Sequence, residues 1–277
     1  MSKKRSQPLY RNLGQHLMHN KRMIHDLIRM AELHSDDLVV EIGAGTGLLT
    51  IPMAEKAGKV LAVEKDPFLI QKMQKKIRKG CNIRVIQQDF LRINLPKRPF
   101  CVVANIPYSI TTPILKKLLD RPSTPVQKAV LVMEKGAAKR FTANPVRNPH
   151  ILKWRIWFDI QMGRTIPPHC FSPPPRIDSA VLLVRKKEQP GIPPCHHARL
   201  MALAATGLKN PGLPLSRVFK GIFTSSQITR LARDLDIDRD MPVQFLNEQQ
   251  WEHLFRIMMK YVPPFRWPKV KNRMHGN

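Results

Sequence analysis

The sequence contains little cysteine, and its cysteines are scattered. Four occur among 277 residues with no C-x-x-C pair, at Cys81, Cys101, Cys170 and Cys195. Structural zinc sites and disulfide frameworks need paired or closely spaced ligands, so we expect no metal and no disulfide, with thiols kept reduced as in a cytoplasm. Cys195-His196-His197 holds two ligand types but lacks spaced partners, and we expect no metal there either.

Long apolar runs are also missing. No stretch approaches the roughly 18 uninterrupted apolar residues of a transmembrane helix, and no apolar segment follows the basic and polar residues 1–11. These absences predict no membrane partner, no secretory signal and a cytoplasmic location.

Acidic residues are scarce relative to basic ones. Lys and Arg total 47 against 20 Asp and Glu, which gives a formal net charge of +27 and a pI near 10.6. So large an excess predicts a polyanionic partner, and nucleic acid leads because the basic residues run throughout the chain. A membrane surface is the rival polyanion, but no long basic amphipathic helix stands out.

The length and pattern of the chain predict two domains. A flexible basic arm at 1–19 precedes an α/β domain at 20–188, and a helical domain with a basic tail occupies 189–277. Apolar runs predict strands at 38–42, 59–63, 82–88, 100–104, 129–133, 154–160 and 180–184. Periodicity and cap residues predict helices at 20–33, 48–56, 66–79, 112–119, 134–141, 196–208, 225–235 and 247–261. We find no internal repeat.

A glycine-rich loop follows the first predicted strand of the α/β domain. Glycines let the backbone approach a ligand closely, and the N-terminus of the following helix offers unpaired N–H groups. A dinucleotide site would need a small residue where bulky Leu48 stands. The loop instead has an acidic residue, Glu41, two places before its first glycine, in an E-x-G-x-G-x-G pattern with Gly43, Gly45 and Gly47.

Acidic residues also end the next two strands. Glu64 lies about 20 residues past the glycine loop, where Rossmann-like folds place the acid that binds ribose hydroxyls. Asp89 suits the exocyclic amine of an adenine, and Phe90 could pack against that ring. Either acid alone could equally cap a helix or lie in a solvated loop. Polar groups at the ends of three successive strands favour a nucleoside ligand.

The strand at 100–104 leads into Asn105-Ile106-Pro107-Tyr108. An amide then stands at the edge where open α/β sheets bind ligands, Pro107 stiffens the backbone and stops strand pairing, and Tyr108 offers an aromatic face. This combination suits a planar ring with an exocyclic NH2 group. A plain turn is the alternative, since Asn-x-Pro is common turn chemistry.

Phe171 precedes a proline-rich turn, Ser172-Pro173-Pro174-Pro175. Two roles are open for this ring. It either packs the loop or stacks on a base extruded from a nucleic acid.

Taken together, these motifs resemble the rRNA adenine N6-methyltransferases, which include the small-subunit dimethyladenosine transferases and the Erm resistance enzymes. Ile106, where small-subunit enzymes usually have Leu, favours the Erm branch. So do four further segments, at 134–141, 154–158, 171–175 and 221–224. The chain departs from the pattern at His16, where many members have Asn, and at Thr46, where many Erm proteins have Lys.

The resemblance implies a Rossmann-like class I methyltransferase sheet with a small all-helical C-terminal domain. The implied activity is S-adenosylmethionine-dependent dimethylation of one adenine in 23S rRNA near the macrolide site, giving macrolide, lincosamide and streptogramin B resistance. The substrate would be free rRNA or an early assembly intermediate, and the enzyme a monomer without metal.

The resemblance also assigns roles to individual residues. The implied catalytic residues are Asn105, Ile106, Pro107 and Tyr108. The implied cofactor-binding residues are His16, Met18, Gly43, Gly45, Gly47, Glu64, Asp89, Phe90 and Asn105. Tyr108 and Phe171 would stack on the target base.

Three other functions share these features. A housekeeping small-subunit (16S) rRNA dimethyltransferase differs only in its target, and a DNA adenine methyltransferase would use the same amide and aromatic groups. A non-catalytic nucleic-acid-binding protein on the same fold would leave Glu64, Asp89 and Asn105 unexplained.

Overall fold

A computed structural model describes residues 16–270, so most of the basic arm and the end of the tail lie outside the described residues. The strands are β1 (Leu17–Met18), β2 (Leu38–Ile42), β3 (Lys59–Glu64), β4 (Ile83–Gln87), β5 (Phe100–Asn105), β6 (Val126–Glu134), β7 (Phe158–Ile166), β8 (Phe171–Ser172) and β9 (Ser179–Lys186). The helices are α1 (Lys21–Ala31), α2 (Thr50–Ala54), α3 (Pro67–Gln74), α4 (Thr111–Leu119), α5 (Lys135–Thr142), α6 (Pro149–Trp157), α7 (His197–Gly207), α8 (Leu215–Val218), α9 (Ser225–Asp234) and α10 (Glu248–Tyr261).

Seven of the strands form one sheet in the order β4-β3-β2-β5-β6-β9-β7. The strands from β4 to β6 run parallel, and β9 pairs antiparallel with β6. All of β2 is buried, as is β5 except for its last residue, which fits the continuous apolar runs of parallel strands covered on both faces. The predicted α/β sheet is confirmed. A small antiparallel pair, β1 with β8, stands apart from it.

Helix α1 begins where its cap residue predicts. The Asn20 side chain accepts a hydrogen bond from the Met23 backbone N–H at 3.0 Å, which satisfies one of the free donors of the first turn. The predicted apolar stripe is buried at Met23, Ile24, Leu27, Ile28 and Ala31. Its side chains join the core beneath β2, β5 and β6, so the cap and the stripe together place the helix against the sheet.

The described residues form two compact units. The first unit comprises 16–118, 124–142 and 160–185, and the second comprises 119–123, 143–159 and 186–270. Two segments from within the predicted α/β domain thus join the helical unit. The division into domains at residue 188 stays a prediction.

The strand predicted at 154–160 is wrong in its first half. Residues 154–157 close helix α6, which Asn148 caps by accepting hydrogen bonds from the N–H groups of His150 and Ile151 at 2.9 and 3.3 Å. Buried side chains surround this helix, at Ile151, Leu152, Lys153, Trp154, Ile156 and Trp157. A helix buried all round has no polar stripe, so its apolar run cannot be distinguished from a strand by periodicity.

The Asp120 carboxylate orders part of the second unit. It accepts hydrogen bonds from Trp154 Nε1 at 2.9 Å and His150 Nδ1 at 3.2 Å, and it lies 3.1 Å from Lys153 Nζ. Burial alone would raise the pKa of this carboxyl. The hydrogen bonds and the charge of Lys153 outweigh burial and hold the pKa below its usual range.

Helix α3 is shorter than predicted, since it ends at Gln74 and not at Lys79. Its beginning is as expected, because Asp66 accepts a hydrogen bond from the Phe68 N–H at 2.8 Å. Four cations follow the observed end, at Lys75, Lys76, Arg78 and Lys79. Like charges three or four residues apart destabilise a helix, which explains the early end.

The helices predicted in the C-terminal part are confirmed within one residue at each end. Capping boxes begin two of them, at Thr224 with Gln227 and at Asn247 with Gln250. The stripe of α10 is buried at Trp251, Leu254, Phe255 and Met258. These residues form core, as their periodicity predicts.

Gly207 tests how tightly this core is packed. A Cβ atom there would lie 2.4 Å from a Trp251 ring carbon and 2.9 Å from a Phe219 ring carbon. We expect Gly207→Ala to lower the free energy of unfolding by about 2 kcal/mol, although Ala gains up to about 1 kcal/mol of helix propensity. Gly212→Ala is the matched control, because nothing lies within 4 Å of its added Cβ. Denaturant unfolding measures both variants, and equal stability would contradict this packing.

Candidate active site

The carboxyl ends of four parallel strands meet at one edge of the sheet. There β2 leads into the glycine loop, β3 ends at Glu64, β4 is followed by Asp89 and β5 ends at Asn105. The strands are in parallel register, with Ile42 opposite Val63 and Glu64 opposite Gln87. A parallel sheet therefore gathers side chains that are far apart in the sequence.

A cleft opens at this edge. Its lining is His16, Leu17, Gly43, Glu64, Asn105, Ile106, Pro107 and Tyr108. The structure therefore brings together most of the residues that the resemblance marks for the methionine end, the ribose and the target base. Leu17 was missed, because a lone leucine in a basic arm gives no signal in the sequence.

The glycine loop has the backbone that its composition requires. Gly43, Gly45 and Gly47 have φ values of +70°, +58° and +82°, a region that side chains other than hydrogen rarely allow. The N–H groups of Gly43 and Ala44 both donate to the Val63 carbonyl, at 2.9 and 3.1 Å. These bonds hold the start of the loop against the end of β3.

Glu64 is tied into this loop by its carboxylate. It is only 3 % exposed, and it accepts hydrogen bonds from the backbone N–H groups of Gly45, Lys65 and Asp66 at 2.9, 2.8 and 2.9 Å. A carboxylate has about four acceptor positions, so at least one remains for a hydroxyl group from the cleft. Three backbone donors fix the carboxylate in place before any ligand arrives.

A second carboxyl, Glu41, lies buried in β2 near the same edge. Thr50 Oγ1 donates to it at 2.5 Å. Burial, with a smaller contribution from the charge of Glu64, raises the pKa of Glu41 to about 8 against the opposing effect of the Thr50 hydrogen bond. Glu41 is therefore a neutral acid near pH 7. We infer that its place in the loop motif is structural, because its hydrogen bond pins α2 beneath the glycine loop.

The Asn105 amide is oriented by a single strong contact. Its Nδ2 donates to the His16 backbone carbonyl at 2.6 Å. Its Oδ1 is buried and has no hydrogen-bond partner among the described residues. Buried acceptors are almost always satisfied in folded proteins, so an orphaned one at the wall of a cleft indicates a ligand donor.

Tyr108 is anchored through the hydroxyl group at the end of its ring. Its hydroxyl and the Ser179 Oγ lie 2.5 Å apart, and Ser179 is fully buried in β9. Burial raises the pKa of Tyr108 despite the Ser179 bond, so the phenol stays neutral. The hydroxyl anchors the ring, and Tyr108 forms part of the cleft wall.

His16 lines the cleft and contacts its neighbours through both its ring and its backbone, and its implied role at the cofactor stays a prediction. Its Nδ1 donates to the Pro173 carbonyl at 2.7 Å, and its ring lies 5.5 Å from the Tyr108 ring, centroid to centroid. The backbone carbonyl of His16, not its imidazole, is what contacts Asn105. A backbone contact is compatible with a change of side chain, which accounts for His at a position where relatives of this kind often have Asn.

Six of the marked residues do not line the cleft, namely Gly45 and Gly47 of the glycine loop and Met18, Asp89, Phe90 and Phe171. Asp89 accepts a hydrogen bond from the Leu91 N–H at 2.8 Å and caps a short helix, while Phe90 is buried below the Lys117 ammonium. Met18 and Phe171 face each other in the β1–β8 pair and are 4 % and 2 % exposed within the core. The loop-packing role of Phe171 is thus the one seen here. Its stacking on a base stays a prediction.

Two further observations concern membrane-spanning helices and metal sites. No helix among residues 16–270 is long and apolar enough to cross a membrane. The same residues contain no group of three or more potential metal ligands.

Comparison with known proteins identifies the family. A family model described as ribosomal RNA adenine dimethylase matches residues 7–260. The chain belongs to this family. It is 44 % identical over 263 residues to an rRNA adenine N-6-methyltransferase of Bacillus licheniformis, covering 95 % of this chain and 92 % of that one.

More distant relatives of this rRNA adenine dimethylase show how widely the fold is shared. A probable ribosomal RNA small subunit methyltransferase A of Methanopyrus kandleri is 34 % identical over 66 % of this chain and 67 % of its own. The crystal structure of the 23S rRNA methyltransferase ErmE superposes with a TM-score of 0.79 at 23 % identity, covering 88 % of this chain and all of that chain. The latter confirms the Rossmann-like methyltransferase fold.

This rRNA adenine dimethylase is an S-adenosylmethionine-dependent rRNA adenine N6-methyltransferase. The residues present fit that cofactor: a glycine loop whose backbone a ligand can approach closely, and a fixed carboxylate with a free acceptor position. Gly43, Glu64 and Asn105 all line the one cleft. A nucleoside could therefore meet all of them at once.

Glu64 gives a direct test of this cofactor site. Gln keeps the shape of the side chain but turns an NH2 group towards at least one of the three backbone donors. We expect Glu64→Gln to raise the Kd for S-adenosylmethionine about tenfold or more, since hydrogen bonds to a charged group are lost. Isothermal titration calorimetry measures the Kd. Glu188→Gln, at an exposed glutamate, is the control, and an unchanged Kd in a folded Glu64→Gln protein would rule out this assignment.

Proposed function

We propose that this enzyme dimethylates the N6 of one adenine in 23S rRNA beside the macrolide site and so confers macrolide, lincosamide and streptogramin B resistance. The observation that carries the N6 chemistry is the buried Asn105 Oδ1 without a partner. It stands beside the half-buried Tyr108 in the same cleft. An acceptor next to an aromatic face suits an adenine whose amino group points inward.

Each residue of the cleft then has a defined task. Asn105 Oδ1 accepts a hydrogen bond from N6 and favours the positive charge that develops on that nitrogen. An amide cannot take a proton at neutral pH, so Asn105 is not a general base. Tyr108, anchored by Ser179, would stack on the base.

The methyl group comes from S-adenosylmethionine, whose sulfonium makes that methyl electrophilic. The main task left to the protein is alignment of the two reacting atoms. Two hydrogen bonds fix the side chains that would hold the base. Asn105 donates to the His16 carbonyl, and the Tyr108 hydroxyl bonds to Ser179. Both hydrogen bonds lie within the protein, so the fold itself supplies the alignment of these two groups.

Two observations support a large-subunit target over a small-subunit one. Ile106 stands where small-subunit enzymes usually have Leu, and its side chain is fully buried under the catalytic turn. A relative with the general rRNA adenine methyltransferase name is 44 % identical to this chain, whereas two small-subunit relatives are 34 % and 31 % identical, the second over 88 % of this chain. A second methyl on N6 removes its last hydrogen-bond donor and adds bulk, which would hinder a drug docked against that base.

The choice of target can be measured by methyl transfer. Tritiated S-adenosylmethionine is incubated with the enzyme and with protein-free 23S or 16S rRNA, and primer extension locates the product. We expect incorporation at a single adenine of 23S rRNA, with a stop that indicates dimethylation. Incorporation into 16S rRNA alone would replace this proposal with the housekeeping function.

A further inference from the structure

The second unit carries an exposed surface of aromatic and basic side chains that the cleft does not use. We call it the aromatic–basic patch and define it by Arg199, Phe265, Arg266, Trp267 and Lys269. Phe265 is 83 % exposed, the highest value among the large apolar side chains of residues 16–270. Its ring has the Arg266 guanidinium 5.7 Å from its centroid. A ring so exposed does not serve the packing of its own unit.

Trp267 forms the inner part of the patch. Its Nε1 donates to the Val262 carbonyl at 2.8 Å, and the Arg199 guanidinium lies 4.7 Å from its ring centroid. A cleft of about 670 Å³ opens beside it, between Phe265, Met258 and Lys269. The indole is therefore anchored at its polar edge, while its surroundings stay open.

Prolines hold the two rings in place. Residues Pro264–Arg266 form a short 3-10 turn, closed by hydrogen bonds from Arg266 N–H to the Pro263 carbonyl at 3.0 Å and from Trp267 N–H to the Pro264 carbonyl at 3.1 Å. Each proline fixes its own φ. Rings presented on a stiff backbone lose little freedom when they bind a flat partner.

The segment that forms most of the patch carries charge of one sign. No Asp or Glu occurs in the sequence after Glu252, whereas cations follow at Arg256, Lys260, Arg266 and Lys269. Just before the patch, Tyr261 is 47 % exposed with the Lys260 ammonium 5.0 Å from its ring centroid, and Asp234 is the acid that acts on it. Repeated pairing of an exposed ring with a cation is typical of surfaces that bind single-stranded nucleic acid.

We propose that the aromatic–basic patch binds unpaired nucleotides of the rRNA substrate. Bases would stack on Phe265 and Trp267, and Arg199 and Lys269 would contact phosphates. Stacking tolerates any base, because every base has a π-face, so the patch would add affinity and not choose the methylated adenine. The proposal rests on an rRNA substrate of either subunit and not on the 23S target.

Phe265 provides the test, because truncating a side chain that is 83 % exposed leaves the core untouched. The probe is a fluorescein-labelled, unstructured oligouridylate of about ten nucleotides, which contains no adenine to methylate. Its Kd for the full-length protein is measured by fluorescence anisotropy without S-adenosylmethionine. We expect Phe265→Ala to raise the Kd about tenfold and Phe265→Tyr, which keeps the ring, to change it by less than about twofold.

A matched control separates stacking from loss of any exposed phenylalanine. Phe245 is 53 % exposed in the same unit, and its groove is lined by amides, prolines, apolar residues and Glu248, without a basic side chain. Phe245→Ala should leave the Kd unchanged. Equal Kd values for wild type and Phe265→Ala, or equal losses in both alanine variants, would overturn the proposal.

Crosslinking locates the contact independently of affinity. Irradiation of the complex with a 5-iodouridine oligonucleotide, followed by mass spectrometry, should identify peptides that contain Phe265 or Trp267. Crosslinks confined to other peptides would overturn the proposal, as would a Phe265→Ala variant that loses binding to phosphatidylglycerol vesicles while keeping its affinity for RNA. None of these results depends on which rRNA is methylated.

Discussion

The active site depends on one hydrogen bond, from the Asn105 amide to the backbone carbonyl of His16. It turns the amide so that its donor is used inside the protein, while its buried oxygen has no hydrogen-bond partner among residues 16–270. The rest of the local structure supports this arrangement. The short β1–β8 pair fixes the chain beside His16, and the Ile106 N–H bonds to the Val132 carbonyl at 3.0 Å and fixes the turn after Asn105.

Two buried glutamates, Glu41 and Glu64, lie near the sheet edge in different surroundings. Two ionised carboxylates close together in a poorly solvated region repel each other. Glu64 keeps three backbone donors and faces the cleft, whereas Glu41 has one hydroxyl donor and a pKa raised by burial to about 8. Glu64 thus keeps an acceptor position at the cleft, and Glu41 stays neutral and supports the loop.

Much of this site could be predicted from sequence because its signals are local. Apolar runs ending in Glu64 and Asn105 marked the strands, and the glycines marked the loop whose positive φ values the structure shows. What could not be predicted depends on contacts between distant residues. The pairing of Met18 with Phe171 buries a ring that the sequence left open to either role, and the surroundings of α6 hide the periodicity of Trp154 and Trp157. The hydrogen bond from Asn105 to the His16 carbonyl joins residues that lie 89 positions apart in the sequence.

Asn105 is proposed to act on the N6 nitrogen that accepts the methyl group and not on the binding of either substrate. The most direct measurement is the single-turnover rate of methyl transfer by Asn105→Ala at saturating S-adenosylmethionine and rRNA, with both Kd values measured separately and with the exposed Asn94→Ala as control. The account predicts a rate lower by about a hundredfold to a thousandfold, Kd values changed by less than about threefold, and a control at the wild-type rate. A wild-type rate for Asn105→Ala, or a loss fully explained by weaker binding, would contradict it.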